Sequence, residues 1–329
     1  MLDYFTYNPF IIIGFAIIFD SIIGDPSYLY KKIKHPVALF GSIINIFDRF
    51  ANKKKYSNKH RKINGCFTII FLICFIYGFT YLIENLISIL PFGWVLISLL
   101  ISIFIAQKSL YQHVTLIKNY LINNDIINAQ KALSHIVGRD TQKLSSPDII
   151  RATLESLAES FCDGVIAPIF WGLVLGLPGV ITYKLINTAD SMIGHLSDEY
   201  KYFGWASAKI DDCVNWLPAR IAGIFLSLAS LIFSWQACKK AFSIMITQAK
   251  NHLSPNAGWT ESAMAGGLDI ALGGPRFYNG KITELSWFNF NGDKNPIVDT
   301  LKKGINIYLI GCFINFLFIF IVCLIYLLN

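Results

Sequence analysis

Three acids at helical spacing are the first residues in this chain that look equipped for chemistry. In IIRATLESLAESFCDG (149–164), Glu155, Glu159 and Asp163 stand at i, i+4 and i+8. Ile150, Leu154 and Leu157 recur near a 3.6-residue period, so the stretch reads as a helix with its acids on one face. Like charges at i,i+4 cost a helix roughly 0.2–0.5 kcal/mol per pair. Arg151, one turn before Glu155, offsets only one of them. Such a face is either simply solvated or holds a cation. An almost uncharged run, VIAPIFWGLVLGLPGVITY, follows directly. The acids therefore sit where a polar helix meets a membrane.

Other polar residues gather at similar places. Arg139 and Asp140, in Gly138-Arg139-Asp140-Thr141, precede the acid helix. They read as an anion-binding arginine beside a metal-binding acid, or as a surface ion pair. Asn187, Asp190 and Ser191 fall within one helical turn, a set of oxygen donors that suits Mg2+. Asp212, Asn215 and Arg220 follow, and an arginine so near an apolar run is costly unless paired. Asp20, Asp25 and His35 crowd the exit of the first apolar run. The segment 254–280 holds Gly258, Gly266, Gly267, Gly273, Gly274 and Gly280, with Asn256 and Glu261 among them. Glycine density lets backbone N–H groups approach a phosphate, or simply makes tight turns. No GK[ST] loop is present. Carboxylates, amides and two arginines are the parts needed to handle Mg2+ and phosphate.

The elements that must position these groups are membrane helices. The chain has 329 residues, 54% of them hydrophobic and 15% charged. Soluble domains carry about 25% charged residues. The mean hydropathy is +0.51. A span needs about 20 apolar residues. Pro9–Ile23, Cys66–Ile83, Phe92–Ala106, Val214–Trp235 and Ile305–Leu328 qualify, and Val165–Ile186, broken by Pro168, Gly176, Pro178 and Gly179, is a weaker sixth. The first run lacks a basic flank and a cleavage site, so it reads as a retained span. The expectation is one domain, 1–329: an all-α polytopic membrane bundle of about five to six segments. Amphipathic helices and polar loops would close one end.

The net charge of +7 is uneven. Lys31, Lys32, Lys34, Arg49, Lys53, Lys54, Lys55, Lys59, Arg61 and Lys62 lie between the first two spans, whereas Glu84–Pro91 has no Lys or Arg. The positive-inside rule makes the basic loop cytoplasmic. Anionic lipid headgroups are the expected partners of those charges, and nothing points to nucleic acid. The 7 cysteines show no CxxC spacing, which argues against zinc and disulfides. Two classes remain open on the residues alone: a membrane enzyme that uses phosphate, such as a Mg-dependent phosphotransferase, or a coupled transporter. Acids that flank the spans favour the enzyme, since a transporter lines its path with mid-span acids.

Several segments in order carry a resemblance: DSIIGDP with HPVALFG (20–41), GRDT (138–141), ESLAESFCDGVIAP (155–168), NTADSMIGH (187–195), FGWASAKIDDCVNWLPAR (203–220) and SPNAGWTESAMAGGLDIALGGPRFYNG (254–280). With these the chain resembles the adenosylcobinamide-phosphate synthase (CobD/CbiB) family of cobalamin biosynthesis. The resemblance implies an ATP-dependent amide ligation that joins adenosylcobyric acid to aminopropanol or its O-phosphate. It implies Mg2+ and ATP as participants, a corrinoid substrate, and a site on the cytoplasmic side of the cell (inner) membrane. It admits a homo-oligomer or a complex with other corrinoid enzymes. Asp140, Glu155, Glu159, Asp163 and Asp190 are then the expected metal acids. Glu159, Asp163, Asp190, Arg139, Arg220 and His35 are the expected catalytic set. Asp25, Asn187, Ser191, Asp212, Asn256, Gly258, Glu261, Gly273 and Gly274 are expected to bind substrate. The chain departs from the family at Ser160, where the usual motif has Asn.

A single site requires that neither Val165–Ile186 nor Val214–Trp235 crosses the membrane, or that one of them forms a hairpin, for which Pro178-Gly179 offers an apex. Irregular backbone at that depth must be buried by protein or water. Cysteines placed at Ser197 and Ser286 then label from the same side of the membrane. Labelling from opposite sides refutes the single-site arrangement.

Overall fold

The structure, a computed structural model, describes residues 8–26, 30, 35–278 and 281–328. Lys31, Lys32 and Lys34 of the basic loop, and Gly280, lie outside them. The chain is an all-α membrane bundle; among the described residues the strands form two short antiparallel pairs. Asn58–Ser88, Gly93–Ile122, Ser146–Ile193 and Val298–Leu328 are long and apolar enough to cross a membrane, and the bent pair Trp205–Val214 with Trp216–Ile232 brings the count to five. The packing forms two compact units. One comprises Met1–Ala106, Ala167–Asn215 and Val322–Asn329; the other comprises Gln107–Ile166 and Trp216–Ile321.

The first unit begins with α1 (Pro9–Ile22), which Asn8 caps by accepting the Phe10 N–H at 2.9 Å. Fourteen residues make about 21 Å of helix, short of the ~30 Å hydrocarbon core. The first expected span is therefore too short to cross alone as a straight helix. His35 caps α2 (Pro36–Ala51), its Nδ1 accepting the Val37 N–H at 3.2 Å. Helix α3 (Asn58–Ser88) turns Ile69, Leu72 and Ile76 inward and leaves Phe67, Phe71, Phe75 and Phe79 exposed. A bare aromatic face of that length suits lipid, not water. One basic-loop residue turns inward: Arg61 is buried, with its Nε donating to Asn52 at 2.7 Å. Helix α4 (Gly93–Ser102) packs on α1.

Helix α8 (Ala167–Ile193) does turn back. A straight helix separates residues i and i+8 by about 12 Å. Here a Cβ on Gly179 would lie 2.4 Å from the Trp171 carbonyl oxygen, and one on Gly172 would lie 2.9 Å from the Val180 side chain. The elbow is Gly176, with φ 66 and ψ −153, two residues before the expected apex. Pro178 has no N–H to give, so it suits the first turn of the second half. Glu84 of α3 reaches into the elbow and accepts the Leu177 N–H at 3.1 Å. That contact satisfies one of the backbone donors the break exposes.

In the second unit, α5 (Gln107–Ile122) and α6 (Ile126–Leu133) precede α7 (Ser146–Phe161), the acid helix. Asp148 accepts the Ser145 N–H at 3.1 Å and opens α7 where Ser-Pro-Asp predicted. Asp163-Gly164 does not stop the helix. The chain runs through a π turn, Cys162–Ile166, into α8. After α9 (Trp205–Val214), which belongs to the first unit, α10 (Trp216–Ala229) leads to α11 (Trp235–Gln248) and α12 (Ala257–Leu268). Strands β1 (Leu272–Gly273) and β4 (Trp287–Phe288) pair, as do β2 (Arg276–Tyr278) and β3 (Lys281–Thr283). Helix α13 (Val298–Leu328) contains the last expected span.

Gly176→Ala forces a side chain into backbone open in practice only to glycine, at a cost of about 1–3 kcal/mol. It also drives a methyl against Glu84. Gly78→Ala, in α3 with open space around it, gains about 0.5–1 kcal/mol. Thermal unfolding in detergent should lower the melting temperature for the first variant and leave it equal or higher for the second.

Candidate active site

Glu155 and Glu261 are the two most enclosed acids of the second unit, at 4% and 1% exposure. Burying a carboxylate is expensive unless charge and hydrogen bonds compensate it. Arg139 Nη2 donates to Glu155 Oε2 at 2.7 Å, and the Gly273 N–H donates to Oε1 at 2.8 Å. Arg276 Nη2 bridges the two acids, 3.1 Å from Glu155 Oε2 and 3.2 Å from Glu261 Oε2. On the other side of Glu261, His252 Nε2 lies 3.6 Å from Oε1. Helix α7 supplies Glu155 and α12 supplies Glu261. Arg276 opens β2, just after Gly273 and Gly274 turn the chain through φ 81 and 74. Positive φ is cheap only for glycine, and this turn is what aims the Gly273 amide at Glu155.

Two spaces adjoin this network. A cleft of about 650 Å3 is lined by Arg139, Asp140, Lys143, Asp148, Arg151, Glu155, Gly273 and Arg276, with Ser134 and the 141–144 loop. Its volume is that of a small-molecule site. A smaller cavity of about 230 Å3 is lined by Arg139, Glu155, Ser156, Glu159, His252, Glu261 and Arg276. Arg139, Glu155 and Arg276 border both. The cleft adds two cations, Lys143 and Arg151, and two acids, Asp140 and Asp148; the cavity adds two acids, Glu159 and Glu261, and an imidazole.

Burial pushes the Glu261 carboxyl well above the usual carboxylate range. Arg276 opposes that rise, while Glu155 and Glu159 add to it. Burial, then the neighbouring Arg276 charge, holds the His252 imidazole below its ordinary value. The Ser254 N–H donates to His252 Nδ1 at 3.0 Å, so in the neutral ring the proton sits on Nε2, facing Glu261.

The expected residues divide between the units. Arg139, Asp140, Glu155, Glu159 and Glu261 come together around the two spaces. Asp163 lies in the π turn and borders neither. Arg220 borders neither and sits between two indoles, 4.1 Å from Trp216 and 4.6 Å from Trp259. Asn256 is buried at the start of α12, its N–H donating to Ser254 Oγ at 3.2 Å. Gly258, Gly266 and Gly267 lie inside α12, where each is closely packed. A Cβ at Gly266 would lie 2.7 Å from the Ala241 Cα of α11, and one at Gly258 would lie 2.1 Å from the Ala249 carbonyl oxygen. Arg151 does not offset Glu155. It pairs with Asp148 and donates to the Lys294 carbonyl at 2.8 Å.

The first unit holds the others. Tyr183 OH donates to Asn215 Oδ1 at 2.9 Å, and Asn215 Nδ2 donates to Asp211 Oδ2 at 3.0 Å. Asn187 Nδ2 lies 3.5 Å from Asp211 Oδ1. Ser191 gives its hydroxyl to the Asn187 carbonyl, and the Asp190 carbonyl accepts the Gly194 N–H. Asp212 makes an exposed ion pair with Lys209 at 3.1 Å. His35 Nε2 stands 3.5 Å from Asp25 Oδ1. Among the described residues, no group of three or more His, Cys, Asp or Glu side chains is placed to hold a metal ion.

His252, Arg276 and Lys143 were not singled out from sequence. Arg276 stands in a quoted segment, GGPRFYNG, and its meaning appears only when β2 meets α7 and α12. His252 lies just before the SPNAG segment, with no periodic signal of its own.

A family model described as CobD/Cbib protein matches residues 13–308. A Sinorhizobium sp protein named Cobalamin biosynthesis protein CobD is 40% identical over 304 residues, covering 92% of this chain and 94% of the relative. A protein of the same name from Rhodobacter capsulatus is 43% identical over 298 residues, covering 89% and 90%. No solved structure matches the chain.

Removing Arg276 leaves two buried carboxylates short of a guanidinium. Arg276→Ala should destabilise the protein by about 3–5 kcal/mol. Arg139→Ala, which removes a partner of Glu155 alone, should cost less. Urea or thermal unfolding of the two variants orders them, and equal losses would show that the bridge has no special weight.

Proposed function

Because the chain belongs to the CobD/CbiB family of cobalamin biosynthesis proteins, we propose that it is an ATP-dependent amide ligase of the cell (inner) membrane. It joins the carboxylate of adenosylcobyric acid to aminopropanol or its O-phosphate. The supporting observation is the ~650 Å3 cleft in which Arg139, Lys143, Arg151 and Arg276 meet beside buried Glu155. Guanidinium forks suit phosphate oxygens, and a low-dielectric setting strengthens them. Arg139 and Arg276 would offset the charge that develops as a phosphoryl group moves to the substrate carboxylate. The basic loop before α3 supports a cytoplasmic site.

Mg2+ commonly takes one or two carboxylates together with substrate phosphates and water. Asp140, an exposed carboxylate on the cleft, fits a metal that arrives with a nucleotide. Bound there, Mg2+ would offset phosphate charge. Glu159 lines the smaller cavity, on the amine side of the reaction.

Purified protein given adenosylcobyric acid, aminopropanol phosphate and Mg-ATP should consume ATP and form the cobinamide product. Asp140→Asn should lower kcat at least tenfold and raise the Mg2+ needed for half-maximal rate. Glu159→Ala should abolish turnover in a folded protein. ATP left intact, with corrinoid moving unchanged across proteoliposomes, rejects the ligase in favour of a transporter.

A further inference from the structure

Resting on the ligase reading, we propose that Glu261 takes the proton from the attacking amine and that His252 is its positioning residue. Four observations converge. The ~230 Å3 cavity admits a small amine but not a corrinoid, and Glu261 is part of its wall. Each Glu261 oxygen faces its own neighbour: Arg276 donates to Oε2 at 3.2 Å, and His252 Nε2 stands 3.6 Å from Oε1, just outside hydrogen-bond reach. The imidazole is itself held. Its Nδ1 accepts the Ser254 N–H at 3.0 Å, and its ring stacks on Phe288 at 6.1 Å between centroids. Ser254 in turn is fixed at the start of α12, its Oγ accepting from the Asn256 and Ala257 N–H groups at 3.2 and 3.3 Å. A line of contacts thus runs from a backbone amide through an imidazole to a carboxylate, and ends at the cavity.

Lys143 and Arg151 line only the larger cleft, as do Asp140 and Asp148; with Arg139 and Arg276 its cations outnumber its acids, so that space suits phosphates. The smaller cavity, with Glu159 and Glu261, suits the ammonium end of the second substrate. Burial raises the Glu261 carboxyl above its ordinary range, so the ionised group is a stronger proton acceptor than a solvated carboxylate.

The alkylammonium gives one proton to the Glu261 carboxylate. The freed nitrogen lone pair forms a C–N bond at the carbon of the acyl phosphate. The C–O bond to phosphate breaks, its electron pair leaves with the phosphate, and the second proton on nitrogen goes to that phosphate. Amide, hydrogen phosphate and protonated Glu261 result, and Glu261 returns its proton to water. ATP supplies the phosphoryl group, and nothing is oxidised or reduced.

The test compares two nucleophiles with full-length protein, adenosylcobyric acid and Mg-ATP. Aminopropanol phosphate is an alkylammonium at neutral pH and needs a proton acceptor. Hydroxylamine is largely unprotonated there and traps the acyl phosphate without one. Glu261→Gln should lower kcat for amide formation by about 10^2–10^4-fold and lower hydroxamate formation by less than about threefold. His252→Ala should lower kcat for the amide about tenfold with little change in KM. His252→Gln, which keeps an N–H donor, should recover most of that loss. Equal loss of both products in Glu261→Gln, or none in either, overturns the proton-acceptor role. His252→Gln as poor as His252→Ala overturns the positioning role. A wild-type protein that makes neither amide nor hydroxamate overturns the ligase reading, and this assignment falls with it.

Discussion

One guanidinium ties two helices and a strand of the second unit together. Arg276 bridges Glu155 of α7 and Glu261 of α12, both almost fully enclosed. Neither carboxylate is tolerable at that depth alone, because a charge removed from water needs partners. The bridge forces other choices in the sequence. Two consecutive residues must adopt positive φ before β2, so Gly273 and Gly274 stand there. Helix α12 must approach α10 and α11 closely to bring Glu261 into place, so its inner face is Gly, Ala and Ser. Glycines that look like a phosphate loop in one dimension are largely a close helix contact in three.

Some of this was legible in the sequence. Apolar length and charge density fixed the all-α membrane class, because hydrocarbon leaves so few ways to satisfy a backbone. The start of α7 followed from Ser-Pro-Asp, and its acids from simple periodicity. The glycines and prolines of α8 marked a broken run and left its path open; the structure turns it back with the elbow at Gly176, not at Pro178-Gly179. Local rules cannot choose among several breakers in one run; the choice was made by Glu84, about 90 residues away, which supplies an acceptor for the Leu177 N–H.

The partners of the acids were not legible. Arg151 is nearest to Glu155 along the helix, yet Arg139 and Arg276 are the residues that reach it. Helical spacing tells which side chains share a face and says nothing about what the face meets. Arg220 shows the same limit. An arginine beside an apolar run needs a partner, and an acid was the natural candidate. Two tryptophans take that role, with the flat guanidinium lying near both rings. His252 gave no signal because its meaning lies in the Ser254 amide on one side and Glu261 on the other.

The wall common to the cleft and the cavity has an energetic corollary. Arg139, Glu155 and Arg276 border both spaces. An anion that draws a guanidinium towards itself in the cleft leaves a carboxylate less compensated on the cavity side. Occupancy of one space is then an electrostatic variable for the other. Linkage would make the dependence mutual, so that ligands filling the two spaces would share one coupling free energy.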